Sequence, residues 1–292
     1  MKMPFKTGTN AILRFGMERR IKRISTLVMI LVIISVIGFI LMTVLGTSSL
    51  LFGSSTGTAW YIALSAMEFI AIAVNAASNC ASEIAGEKAR QTLDLLICSQ
   101  MTPKSIIRGK LLSNFLFSLL IVAVMLPFYA VIYLFGGFTP ISVVEFILYM
   151  LNWVFCVSAT GIFFSSVIKK SAPATVLTIA FWAAFIIADG LFALLWEGVK
   201  EYLNYSLGIA FANTFDYPPI LWINPVTGFV MLFLLQIAGF SGVASSTTAE
   251  IVQVVAPIIL GVVLPVIISI VSVKLAERAI DPMRSRKNSG GI

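Results

Sequence analysis

Apolar residues in this chain come in long, unbroken runs and show no two-residue alternation. Five are plain: Ser25 to Gly46, Ala59 to Ser82, Leu111 to Phe135, Ile141 to Ile168, and Ala172 to about Trp196. A sixth, Ile251 to Val273, follows near the C-terminus. Each reaches the roughly 20 residues that a helix needs to cross a bilayer. Hydrocarbon offers no water to backbone N–H and C=O groups, so a spanning segment must be a helix or part of a closed barrel. The missing alternation selects helices. Pro127, Pro257 and Pro265 fall inside these runs and predict kinks, tolerated where neighbours satisfy the freed carbonyls.

The stretch from Trp222 to Phe240 is apolar too, but Asn224-Pro225 shortens it and Gly239 and Gly242 break it. The basic residues decide how it reads, because cytoplasmic segments carry the excess of Lys and Arg. Six spans with a cytoplasmic N-terminus put Lys2, Lys6, Arg14, Arg19, Arg20, Lys22 and Arg23 inside, and likewise Lys88, Arg90, Lys104, Arg108 and Lys110. Lys169, Lys170 and the tail over 274–292 fall inside as well, and Lys200 alone falls outside. A seventh span at Trp222 to Phe240 would put the tail on the wrong side. That stretch therefore predicts a re-entrant or interfacial hairpin within an outer region over 197–250. The basic residues before Leu27 are not a signal peptide, since the apolar run after them is too long and no cleavage site follows. Within residues 1–24, Leu13, Met17, Ile21 and Ile24 share one helical face, as expected of a helix lying on anionic lipid at the inner surface.

Composition agrees. Hydrophobic residues make up 59% of the chain and charged residues 11%, where a soluble domain carries about 25% charged residues. The net charge of +7 is spent on topology and leaves no nucleic-acid surface. Three cysteines without metal spacing predict reduced thiols, and the absence of histidine removes the usual general base and commonest metal ligand.

The link between the second and third predicted spans carries the most information. From Glu87 it predicts a short amphipathic helix, with Leu93, Leu96 and Ile97 on one face and Arg90 and Asp94 paired at i,i+4 on another. Thr102-Pro103 is an N-cap followed by a proline at the first helical position, so the third span begins there.

In order and place these residues resemble the ABC-2-type permease family, the membrane subunits of a class of ATP-driven exporters. The family pattern after the second span is acidic-basic-acidic-basic-Gly-Thr-Leu-acidic-Leu-Leu, then a turn and a Gly-Lys entering the third span. This chain has Glu87, Lys88, Arg90, Thr92, Leu93, Asp94, Leu95 and Leu96, then Gly109-Lys110. It departs at Ala89 for an acid, at Gln91 for glycine and at Gln100 for proline. The resemblance implies that segment 83–104 is a cytoplasmic coupling helix docked in a cleft of an ATPase subunit. Glu83, Glu87, Lys88, Arg90, Thr92, Leu93, Asp94, Leu96 and Ile97 would carry the contact. It also implies a second permease subunit, identical or similar, and ATP with Mg held by the ATPase partner. No cofactor is expected on this chain, which has no complete G-x-x-x-x-G-K-[ST] motif. The fold expected is thus an all-α integral membrane protein with residues 1–292 as one permease domain. It is a six-transmembrane-helix bundle with an N-terminal interfacial helix, a cytoplasmic coupling helix and an outer re-entrant hairpin before the last span.

Polar residues inside the second run add a second candidate site. Glu68 lies roughly 14 Å from its outer end at about 1.5 Å per residue, and a charge there must be paired, neutralised or hydrated. Asn75, Asn79 and Ser82 follow on the same face, while Ala73, Ala77, Ala81 and Ala85 form a small-residue face for close helix packing. Glu68, Asn75 and Asn79 read either as lining a translocation path or subunit interface, or as interhelical hydrogen-bonding groups with Asn114, Asn152 or Thr160 as partners.

The function expected is that of an exporter permease in the cytoplasmic membrane with both termini inside. The alternatives are an ABC-type complex acting as a sensor or mechanical transmitter, and a secondary transporter or membrane enzyme independent of ATP. Convincing internal repeats of the kind secondary transporters show are lacking.

Overall fold

The computed structural model describes residues 56–93, 102–207, 219–238 and 248–280. Every regular element among them is a helix. These are α1 (Thr56–Ala89), α2 (Pro103–Tyr133), α3 (Pro140–Val167), α4 (Ser171–Leu207), a 3-10 turn (Pro219–Ile223), α5 (Pro225–Ala238) and α6 (Thr248–Ile280). Five of them, all but the 3-10 turn and α5, are long and apolar enough to cross a membrane. The chain is therefore a multi-pass membrane protein. The first predicted span, the N-terminal surface helix and the end of the C-terminal tail lie outside the described residues.

The apolar runs locate the helices, and the helices outlast the runs. α1 continues past Ser82 to Ala89, and α4 continues past Trp196 to Leu207. Both extensions are built from residues compatible with a helix whose side chains have polar or interfacial surroundings, so loss of hydropathy does not end the helix. Where caps are written locally they are obeyed. Thr102 sits in extended conformation ahead of Pro103, and its side chain accepts from the Ser105 amide at 3.3 Å. Between α2 and α3 the chain turns through Gly136 and Gly137, with φ of 76° and 92°, a region that glycine enters without steric cost. Thr58 donates to the Gly137 carbonyl at 2.7 Å, tying the start of α1 to this turn.

The chain divides into two compact units. One comprises Met1–Gly137, Val154–Ile179 and Ile268–Ile292, the other Phe138–Trp153 and Ala180–Ile267. In the first, the small face of α1 behaves as its spacing predicts: Ala73, Ala77, Ala81 and Ala85 are all buried. A Cβ placed on Gly161 of α3 would lie 2.9 Å from the Cys80 Cβ and 3.3 Å from the Ala81 amide. Only a residue without a side chain permits that approach. Ser165, one turn further along α3, receives the Ile84 and Ala85 amides at 2.9 and 2.8 Å.

In the second unit, α5 is a 14-residue apolar helix, about 21 Å long at 1.5 Å per residue and short of the roughly 30 Å of hydrocarbon. Asn224 starts it. Its side-chain oxygen accepts from the Val226 amide at 3.0 Å, and its amide group donates to the Phe185 carbonyl at 2.8 Å. Residues expected to form the return of the hairpin, beyond Ala238, lie outside the described residues. The Tyr149 hydroxyl of α3 reaches the Pro225 carbonyl and lies 3.4 Å from that of Gly261. Pro265 denies the Gly261 carbonyl its helical donor, so Tyr149 covers an acceptor that the kink leaves open. Asn152 does the same for the next carbonyl, Val262, at 3.2 Å. Coverage by the surroundings differs between helices: half of the spanning window of α3 is buried, against 12% of that of α4.

Candidate functional site

The site begins where α1 ends. The helix predicted to start at Glu87 does not start there, because α1 runs unbroken through Glu83, Glu87 and Lys88 to Ala89. The chain then turns at Gln91, which has φ of 57° and is the one non-glycine residue with positive φ among those described. The Gln91 amide donates to the Lys88 carbonyl at 3.2 Å and the Thr92 amide to the Glu87 carbonyl at 3.0 Å. That pair of bonds is a Schellman motif with Gln91 at the left-handed position usually taken by glycine. The reversal at Gln91 interrupts the helix on which Arg90 and Asp94 were expected to stand at i,i+4. Asp94, Leu96 and Ile97 lie outside the described residues.

Three side chains fix this elbow to α2. Lys110 is buried, and its ammonium donates to Glu87 at 2.8 Å, to Glu83 at 3.1 Å and to the Glu83 carbonyl at 3.2 Å. Glu83 and Glu87 stand one turn apart on α1, so a single cation from the facing helix bridges both. Two carboxylates against one ammonium leave the cluster one negative charge in excess, and Glu87 Oε2 is buried without a hydrogen-bond partner among the described residues. A second tie runs to α3, where Lys88 donates to the Ser166 carbonyl in the last turn. That is where a cation complements the carbonyl end of a helix. A third link, Arg108 to Glu277 at 3.5 Å, joins α2 to α6. Leu93 is buried in a core with Ile84, Ile107, Ile162 and Ile280.

The predicted coupling residues therefore divide by role. Glu83, Glu87 and Lys88 turn inward and hold helices together, and Leu93 anchors the chain after the turn. Ala89, Arg90, Gln91 and Thr92 form the exposed crest. The cation that unites the carboxylates, Lys110, stands in the sequence as the lysine of Gly109-Lys110. Its role is invisible without the register of α1 against α2.

At the far end of the same helix pair, Glu68 is 5% exposed. Tyr129 of α2 donates its hydroxyl to Glu68 Oε2 at 2.6 Å, a length typical of a charge-assisted O–H···O bond. The same hydroxyl lies 3.2 Å from Ser65 Oγ, and the edge of the Tyr61 ring packs on Tyr129 at 5.9 Å between centroids. Glu68 Oε1 is buried without a hydrogen-bond partner among the described residues. The partner of Glu68 is thus a tyrosine, which its place inside an apolar run did not single out.

The asparagines make further bonds along and between helices. Asn79 donates to Asn75 along α1, and Ser82 to the Asn79 carbonyl at 3.0 Å. Asn114 donates to Ser158 of α3 at 2.7 Å, Asn152 serves the Val262 carbonyl, and Thr160 bonds carbonyls of its own helix. Asn114–Ser158 is an interhelical bond of the kind predicted, between α2 and α3.

Compared with models of known protein families and with the curated proteins, the chain matches none.

Proposed function

We propose that this chain is the permease subunit of an ATP-driven exporter and that it receives force at the elbow after α1. The observation that carries the reading is the construction of that elbow. An exposed crest over residues 89–92 sits on a Schellman turn, tied to α2 through Lys110 and to α3 through Lys88. A push on the crest would reach α2 and α3 through these ties, as transmission of a helix displacement needs. Resemblance to the ABC-2-type permeases supports the same reading, and the left-handed Gln91 falls where their pattern has glycine. In this reading the elbow faces the cytoplasm, residues 25–46 form the first of six spans, and α5 is one limb of an outer re-entrant hairpin. ATP and Mg belong to a separate ATPase, and two copies of this chain, or this chain and a similar one, form the path.

The division of roles sharpens the test. Arg90 is exposed and its side chain makes no tie among the described residues, so Arg90→Glu is expected to release an ATPase while leaving the chain folded. Affinity purification of the tagged chain from its host in mild detergent, with mass spectrometry, should recover a stoichiometric Walker-A protein that Arg90→Glu loses. A chain recovered alone, monodisperse and stable in several detergents, sinks the proposal and favours transport independent of ATP.

A further inference from the structure

Two polar ties between α1 and α2 have the same unusual form. At each, one α2 group is shared between two α1 groups about one turn apart. Lys110 is shared by Glu83 and Glu87, at 3.1 and 2.8 Å. Tyr129 is shared by Ser65 and Glu68, at 3.2 and 2.6 Å. At each, the shorter contact is to the seat nearer the elbow. The ties are also in phase: Glu68 and Glu87 are as far apart on α1 as Tyr129 and Lys110 are on α2, nineteen residues in both cases. An axial displacement that moves Lys110 fully onto Glu83 therefore moves Tyr129 onto Ser65 as well. The two residues vacated, Glu87 and Glu68, each carry a buried carboxylate oxygen without a hydrogen-bond partner among the described residues, as Glu277 of α6 also does. Buried side chains of α1 between the ties are both small, Ala73, Ala76, Ala77 and Cys80, and large, Phe69, Ile72 and Ile84.

We infer that α1 and α2 form a two-position slide, in which Glu87 and Glu68 are the resting seats and Glu83 and Ser65 the seats of a second register one helical turn away. The step is about 5 Å, the pitch of one turn, and belongs to the ratchet type of helix displacement. Sharing lowers the barrier, because Lys110 and Tyr129 each touch the second seat before leaving the first. The Gln91 turn and the link that follows it to Thr102 are where the two helices are joined, so the slide changes the geometry of the elbow. The inference goes beyond the proposed function and stands without an ATPase.

The test measures the spacing of spin labels on the full-length chain in lipid nanodiscs, with Cys80, Cys98 and Cys156 replaced by alanine. Labels at the exposed positions Ala89→Cys on α1 and Leu126→Cys on α2 lie far apart along the axis, so their distance reports sliding directly. Moving Lys110 onto Glu83 carries Leu126 away from Ala89 and lengthens the distance by about 5 Å, one helical pitch. Glu87→Gln weakens the resting seat and is expected to add that longer component, whereas Glu83→Gln leaves a single, unlengthened distance. Should Glu87→Gln not yield folded protein, Glu68→Ala removes the resting seat at the far tie and is expected to give the same longer component. An unlengthened distance in the folded resting-seat variants, or a longer one in Glu83→Gln, overturns the slide. Loss of the ATPase in the affinity experiment leaves this result untouched, so the two failures are distinguishable.

Discussion

Lys110 and Tyr129 stand nineteen residues apart on α2, the separation of their partners Glu87 and Glu68 on α1. At 1.5 Å per residue that interval is about 28 Å, close to the thickness of a bilayer's hydrocarbon core. The two ties thus stand at two levels, with an interval between them that also holds the buried Asn75, Ser113, Asn114 and Ser118. Each level can be disturbed separately, and the effects expected differ in size and in sign.

Replacing Lys110 by methionine keeps the bulk and removes the cation between Glu83 and Glu87. Both carboxylates are about three-quarters buried, and stranding buried charge is among the costlier single changes. A loss of about 3 kcal/mol is expected, the lower end for breaking a buried pair because each carboxylate is about a quarter exposed, with the partner-removing Glu83→Gln costing less because Glu87 still holds the ammonium. Thermal unfolding followed by size-exclusion chromatography checks the order; equal losses for the two variants would show that the cation is not shared.

At the other level, Tyr129→Phe deletes the hydroxyl that donates to Glu68 and leaves the carboxyl buried. Loss of a hydrogen bond to a carboxylate costs about 1.5–3 kcal/mol. Glu68→Gln keeps an oxygen that accepts from Tyr129 and is expected to cost less. The same unfolding measurement tests it, and a Glu68→Gln variant less stable than Tyr129→Phe contradicts the hydrogen bond as described.

Gln91 predicts a change in the opposite direction. A side chain in the left-handed region costs roughly 1–2 kcal/mol that glycine avoids, so Gln91→Gly is expected to stabilise the chain by about 1 kcal/mol once glycine's extra freedom in the unfolded state is counted. Gln91→Val, β-branched at a positive φ, is expected to destabilise. A melting temperature lowered by glycine and unchanged by valine would mean that the turn is not the Schellman reversal.

Tyr149 gives a paired test. A Cβ on Gly228 or Gly261 would meet its hydroxyl at 2.6 Å, so either glycine-to-alanine change is expected to cost about 1–3 kcal/mol, as overpacking does. Combining Gly261→Ala with Tyr149→Phe should recover part of the loss, because the clash is with the oxygen. Strict additivity in that double-mutant cycle would place the collision elsewhere.

What could be read from the sequence was local or periodic. Hydropathy located all five long helices, Thr102-Pro103 located a helix start, and the spacing of Ala73, Ala77, Ala81 and Ala85 located a close-packed face. The elbow and the buried pairs were less legible. Nothing in α1 alone says that Lys110 will fall between Glu83 and Glu87, because that depends on the axial register of two helices and register is a property of the pair. Tyr129 was hidden for the same reason. The turn at Gln91 was missed because Glu87, Lys88 and Ala89 continue α1 readily, and glutamine carries none of the signal that glycine gives at a left-handed position.

The thin covering of α4, set against the half-buried α3, has a consequence for how this protein tolerates change. Most positions on the apolar stretch of α4 meet surroundings that any greasy side chain satisfies, so leucine, isoleucine, valine and phenylalanine should interchange there with little effect. On α3, Gly161, Ser165 and Tyr149 each fit one backbone approach or one carbonyl, and few alternatives share their shape. A library of variants selected for stable expression should therefore drift freely along one helix and stand nearly still along its neighbour in sequence.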